Sequence, residues 1–187
     1  MAKLFDDPSS EESRVECWFD GAIAPVNPGG HASYGVVIKV DGEVVLSEGG
    51  YVGHGPTMSN NVAEAAGAIR VLEALPTLLG ALPDVATAVI YGDSQVVINQ
   101  LPPRKKRQPQ GLFVPYVRKA QALFEPLKPR VHFQWIPRER NAECDDLSKQ
   151  VLIGRGIDFS DRSYEQLHRA RLSHDLDNEF NEKYGEL

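Results

Sequence analysis

The sequence predicts one α/β domain built on a single mixed sheet with helices on its faces. Three observations carry this. The first third of the chain alternates apolar and polar residues, as half-buried strands do. An Asp-Gly pair, Asp41-Gly42, joins two β-branched runs, which is a strong short hairpin signal. After Ser59 the apolar residues recur at three and four, and two later strands are each reached through helical segments.

Taken in order, "SRVECWFDGAIAPV" sets Val15, Cys17 and Phe19 against Glu16, Trp18 and Asp20, a strand that "NPGG" breaks. "ASYGVVIKV" and "EVVLSEGGYV" form the hairpin, so the chain opens with three antiparallel strands. "SNNVAEAAGAIRVLEALPTLLG" is a helix, with Val62, Ala65, Ala66, Ile69 and Leu72 on its apolar face and Ser59 or Asn60 as its cap. The strand "VATAVIYG" follows, then a short helix from Ser94 to Leu101 and the basic, Pro-rich stretch "PPRKKRQPQG". "LFVPYVRKAQALFEPL" is a helix with Pro115 in its first turn, "RVHFQWIP" a strand and "NAECDDLSKQVL" a helix. The order is β-β-β-α-β-α-α-β-α. Helical crossovers make the last two strands parallel to each other.

The ends read differently. Residues 1–12 are polar and acidic, unlike a signal or transit peptide, and are expected to be a disordered lead-in. The domain is expected over residues 13–153. Residues 154–187 form a charged tail, partly helical, with Leu172, Leu176, Phe180 and Tyr184 every four residues. That narrow stripe suits a helix docked on its own domain or on another protein, and the tail is expected to be dispensable for chemistry. No apolar run approaches the length of a membrane span. Cys17 and Cys144 form no CxxC and have no His cluster beside them, which speaks against zinc and fits a reducing cytoplasm. The formal charge of −6 argues against a non-specific nucleic-acid coat, but clustered acids that hold cations would lower it in the same way.

Four acids stand out. Asp20 lies near the end of the first strand, where an inward charge is costly unless paired or bound to a cation. Asp93 lies at the mouth of the fourth strand. It is either a helix cap, a role Ser94 could also fill, or part of a site at the carboxyl end of the sheet. Glu64 lies in "VAEAAGA", either as a surface residue or packed close to the sheet by its small neighbours. Asp145 opens the last helix, where a carboxylate also favours the positive helix end. Each alone has an ordinary structural role. Four together at one edge of one sheet point to a divalent-cation site.

The segments "FDGAIAPVNPGGHASYGVVI", "SNNVAEAAGAI", "YGDSQVVINQL" and "PRERNAECDDLSKQ" resemble the four signature segments of the type 1 ribonuclease H family, in order, across residues 15–152. The resemblance implies a ribonuclease H-like fold, a five-stranded sheet in the order 3-2-1-4-5 flanked by helices. It implies an endonuclease that hydrolyses the RNA strand of RNA–DNA hybrids with two Mg²⁺ ions, Mn²⁺ being a substitute, and leaves 5′-phosphate and 3′-hydroxyl ends. By position Asp20, Glu64, Asp93 and Asp145 match the catalytic metal ligands. Asp20 would bridge both ions, Asp145 would hold the ion that activates water, and Glu64 and Asp93 would hold the ion on the leaving-group side. Asp146 is the neighbour that a one-residue shift would select instead. Gly21, Asn60, Asn61 and Gln95 match minor-groove contacts, and Asn27 and Ser59 match phosphate contacts. A monomer in the cytoplasm is expected. The chain departs from the pattern in the loop before the last helix: "WIPRERNAEC" lacks the family's His, leaving Arg138 or Glu139 in its place. "RKKR", at 104–107, stands where some members carry a basic handle. Two rival readings are a non-catalytic binding module on the same fold and a nuclease that cuts DNA.

Overall fold

The computed structural model describes residues 13–83, 86–102 and 111–157. The lead-in, the basic stretch at 104–107 and the apolar stripe of the tail lie outside them. The elements are β1 (Arg14–Ala24), β2 (Gly29–Val40), β3 (Glu43–Gly55), α1 (Asn60–Gly80), β4 (Thr87–Gly92), α2 (Gln95–Gln100), α3 (Val114–Phe124), β5 (Val131–Trp135) and α4 (Ala142–Ile153). Short 3₁₀ turns at Glu125–Leu127 and Arg138–Arg140 precede β5 and α4. This is the order the sequence predicts.

The strands form one sheet in the order β3-β2-β1-β4-β5. β1 pairs with β2, and β2 with β3, antiparallel; β4 is parallel to both β1 and β5. The β2–β3 turn works because Asp41 and Gly42 both take positive φ, 50° and 86°. That is the backbone a two-residue hairpin needs. β3 runs past the expected end at Val52 to Gly55, since pairing with β2 continues to His31 opposite His54 and Gly29 opposite Gly55.

One face of the sheet buries Val15, Cys17, Phe19, Val36, Ile38 and Ile90 against Ala65, Ala68, Ile69, Leu72 and Leu75 of α1. Burial of that stripe carries α1 through Pro76, which is exposed and would otherwise weaken the helix. The opposite face receives α4. There Ser33 donates its hydroxyl to the Ser148 carbonyl at 2.6 Å, and Leu152 closes on Ala22 and Ala24. β1 is therefore clamped from both sides where it carries Asp20. Both cysteines are buried and unpaired. Among the described residues, no helix is long and apolar enough to cross a membrane.

Candidate active site

Three of the acids meet. Asp20, Glu64 and Asp93 each bring a carboxylate oxygen to within 4.8 Å of the other two. Asp20 projects from β1 and is 3% exposed; Glu64 projects from the second turn of α1 and is 4% exposed. The surface reading of Glu64 is thus excluded. What brings the helix in is Gly21: a Cβ there would lie 2.3 Å from the Glu64 backbone nitrogen. Only a hydrogen in place of a side chain lets strand and helix approach so closely.

Asp93 resolves the choice between cap and site. Ser94 is the N-cap of α2, its hydroxyl accepting from Val97 N–H at 3.4 Å. The Asp93 side chain joins the other two acids. Its main chain is held as well: Trp135 donates its indole N–H to the Asp93 carbonyl at 2.9 Å.

The trio is electrostatically unsatisfied. Asp20 Oδ2, Glu64 Oε2 and Asp93 Oδ1 are buried with no hydrogen-bond partner. Burial pushes the Asp20 carboxyl up to about 7, with repulsion from Asp93 adding to it and the Gly21 N–H opposing it. Burial also lifts Glu64 well above the usual carboxylate range, again with help from Asp20 and Asp93. Hard carboxylate oxygens converging without partners suit a divalent cation of the magnesium or calcium class. They are a poor place for an apolar ligand.

A pH dependence follows. Asp20 binds its proton more tightly folded than unfolded, so its contribution to stability is present below about pH 4 and is lost as pH rises through about 7. In EDTA, the melting temperature should fall between pH 5.5 and 8, and the fall should shrink in Asp20→Asn. Calorimetric melts at both pH values check this; identical falls in the two proteins would contradict it.

Asp145 stands beside the trio, close enough to repel Asp20, but is engaged differently. Its Oδ1 accepts from Arg138 at 2.8 Å and its Oδ2 from Lys149. Burial raises its pKa, yet the bonds from Lys149 and Arg138 outweigh that and hold it below the usual range. Asp146 is exposed, about 100° further round the helix.

The remaining positions gather at the start of α1 and α2. Asn27 Oδ1 accepts from the Asn60 N–H at 3.0 Å, and Ser59 Oγ from Val62 N–H at 3.3 Å. Both thus serve as turn and cap residues. Asn60 also donates its amide to Glu64 Oε1 at 3.4 Å. Asn61 is half-buried beside it, and Gln95 is exposed as the first residue of α2. Sequence reasoning missed three supports: Lys149, Trp135 and Asn141, whose buried amide donates to the Phe19 carbonyl at 2.8 Å. Lys149 was readable, lying four residues after Asp145 on one helix. The other two act across the sheet and leave no local signal.

A family model described as reverse transcriptase-like matches residues 19–151. The chain belongs to this family. Solved structures similar to this reverse transcriptase-like chain are ribonucleases H, as its signature segments imply. LC11-RNase H1, isolated from compost by a metagenomic approach, is 27% identical, covering 76% of this chain and 97% of its own at a TM-score of 0.64. The same enzyme in complex with an RNA/DNA hybrid is 29% identical over 73% and 94%, with a TM-score of 0.60. The N-terminal ribonuclease H domain of a Mycobacterium tuberculosis protein, solved fused to maltose-binding protein, is 29% identical over 76% and 95%, with a TM-score of 0.62. The fold is that of ribonuclease H.

Proposed function

We propose that the chain is an endoribonuclease that hydrolyses the RNA strand of RNA–DNA hybrids with the help of Mg²⁺, two ions per site, Mn²⁺ substituting. The observation that carries the reading is the trio of Asp20, Glu64 and Asp93, with unpartnered buried oxygens, at the strand ends of a ribonuclease H fold. The hybrid-bound structure of LC11-RNase H1 supports the substrate class.

Asp20, Glu64, Asp93 and Asp145 would hold the cations. Bound there, such ions acidify a coordinated water and neutralise charge on the scissile phosphate. The chain's own residues do the rest. Asp20, buried between two other acids, has a strong drive to shed its proton to a cation. Asn60 holds Glu64 in place from one turn earlier on α1. Gly21, Asn60, Asn61 and Gln95 would read the 2′-hydroxyls of the minor groove, which is how a protein tells RNA from DNA. Asn27 and Ser59, whose side chains accept the Asn60 and Val62 N–H groups at the start of α1, would present their remaining polar atoms to a phosphate of the DNA strand. Arg138 or Glu139, both in the turn before α4, would stand in for the family's loop His. The products are 5′-phosphate and 3′-hydroxyl ends. The enzyme acts as a monomer in the cytoplasm, where two free thiols are at home.

The test is cleavage of an end-labelled RNA–DNA hybrid with Mg²⁺ or Mn²⁺, beside DNA and RNA duplexes. Cleavage of the hybrid's RNA strand alone is expected. Cutting of duplex DNA, or no cutting with either metal, would overturn the reading.

Assignment of the fourth acid has its own test. Asp145→Asn should lower turnover by more than about tenfold, since even groups that merely support a metal ligand cost 10–100-fold. Asp146→Asn, exposed, should stay within about twofold. Turnover per folded molecule decides, and the reverse order would shift the register by one residue.

A further inference from the structure

Asp145 differs from its three companions in what it touches. Among the described residues, no Lys or Arg forms an ion pair with Asp20, Glu64 or Asp93. Each of those three keeps a buried oxygen with no partner. Asp145 has both oxygens taken by full positive charges, Arg138 on Oδ1 and Lys149 on Oδ2. The cations arrive from two elements, Arg138 from the 3₁₀ turn before α4 and Lys149 from one turn further along it.

We propose that Arg138 and Lys149 are built-in counter-cations of Asp145, which a divalent ion must displace before Asp145 can ligate it, so that the four-acid site fills in two unequal stages. This rests on the reading of the four acids as metal ligands. An ion seated on Asp20, Glu64 and Asp93 displaces no protein cation and gains oxygens that nothing else satisfies. An ion that uses Asp145 has to compete with a charge-assisted hydrogen bond on whichever oxygen it takes, from Arg138 on Oδ1 or from Lys149 on Oδ2, and with the charge of both.

The displacement is feasible because both cations have water to return to. The Arg138 side chain is 67% exposed and that of Lys149 32%. Pairs of this exposure are weak, and a doubly charged ion outcompetes them at modest concentration. The arrangement also has a use without metal. Four carboxylates in one place repel one another, and the charge of Arg138 reaches Asp20 and Asp93 as well as Asp145. Arg138 and Lys149 act through Asp145 and are positioning residues.

The experiment titrates Ca²⁺ calorimetrically into the full chain, free and with RNA–DNA hybrid bound. It uses wild type, Arg138→Met, Lys149→Met, Asp145→Asn and, as a control, Lys128→Met, which removes a cation from an exposed pair with Glu125. Methionine keeps an unbranched apolar stem and removes the charge. With hybrid bound, wild type should show a tighter and a weaker component. The weaker one should tighten about three- to fivefold in Arg138→Met and in Lys149→Met, the scale of a partly exposed ion pair, and the tighter one should move by less than about twofold. Asp145→Asn should lose the weaker component, and Lys128→Met should change neither.

A single-step isotherm in wild type overturns the proposal, as does equal movement, or no movement, of both components in the two Met variants. If wild type binds no Ca²⁺ even with hybrid, the reading of the acids as metal ligands falls and the proposal falls with it. A second readout needs no variant: the ¹⁵N resonances of Arg138 Nε and Lys149 Nζ should shift towards those of solvated side chains as the weaker stage fills. Unchanged resonances at saturation overturn the proposal.

Discussion

Asp20→Asn is expected to lower hybrid cleavage by more than about a hundredfold while the protein stays folded, because loss of a group that merely supports a metal ligand already costs 10–100-fold. The amide matches the carboxylate in size and shape, so the packing around a residue 3% exposed is kept. What goes is the charge, and with it the hold on a cation at the point where strand β1 meets the other acids. The stability effect has the opposite sign. Asp20 resists ionising up to about pH 7, so at pH 8 the metal-free wild type carries a buried repulsion that the amide removes. In EDTA at pH 8 the variant should melt several degrees higher, at roughly 2–4 °C per kcal/mol for a domain of this size. Single-turnover assays and circular dichroism melts on one preparation check both halves. Wild-type turnover by a folded variant would remove Asp20 from the site.

Gly21→Ala should damage fold and activity together. The added methyl would sit 2.3 Å from the Glu64 nitrogen and 2.6 Å from the Ala63 carbonyl carbon. Both are backbone atoms of α1, so no rotamer change can relieve the clash. The helix must back away from the sheet, at about 1–3 kcal/mol for overpacking of this kind. Retreat of α1 also draws Glu64 from Asp20, and a misplacement of about 1 Å can cost about a hundredfold in rate. Gly80→Ala is the comparison: nothing lies within 4 Å of a Cβ there, and removing a helical glycine should leave stability equal or slightly higher. Urea unfolding and turnover per folded molecule measure both. A Gly21→Ala protein as stable and active as wild type would mean that the close approach of strand and helix is not needed.

Much of this fold could be read from local chemistry. Asp41-Gly42 announces the hairpin and takes the positive φ values it needs. The three-and-four spacing of α1 marks most of the stripe that the core buries, with Ala68 packed in the core where Ala66 stays half-buried. The limits were equally physical. Gly53 and Gly55 look like breakers, but pairing with β2 holds them in strand, since a ladder is a property of two segments. Ser94 and Asp93 are equivalent as candidate caps on paper, and only the neighbouring strand shows that the serine caps while the aspartate meets Asp20. Glu64 has the composition of a surface helix residue; its burial depends on a missing side chain at Gly21, forty-three positions earlier. Position along the chain put forward four acids as candidates and the structure gathers three of them, while the difference between that trio with free oxygens and a fourth acid already paired needed the three-dimensional neighbours.

The Asn141 side-chain amide donates to the carbonyl of the residue just before Asp20, and the Asn141 main-chain carbonyl accepts the Asp145 N–H at 3.1 Å. The first and fourth acids are thus joined by a path two hydrogen bonds long that skips the whole intervening chain. Such a path works as a ruler. Ala142 and Glu143, exposed between its marks, can change identity at little cost. Their number cannot change, because each added residue turns the helix by about 100° beneath the anchor. One insertion between Asn141 and Cys144 would present a thiol, a soft ligand, where a hard oxygen is wanted. This stretch should therefore drift in composition among descendants of the sequence while its length stays fixed.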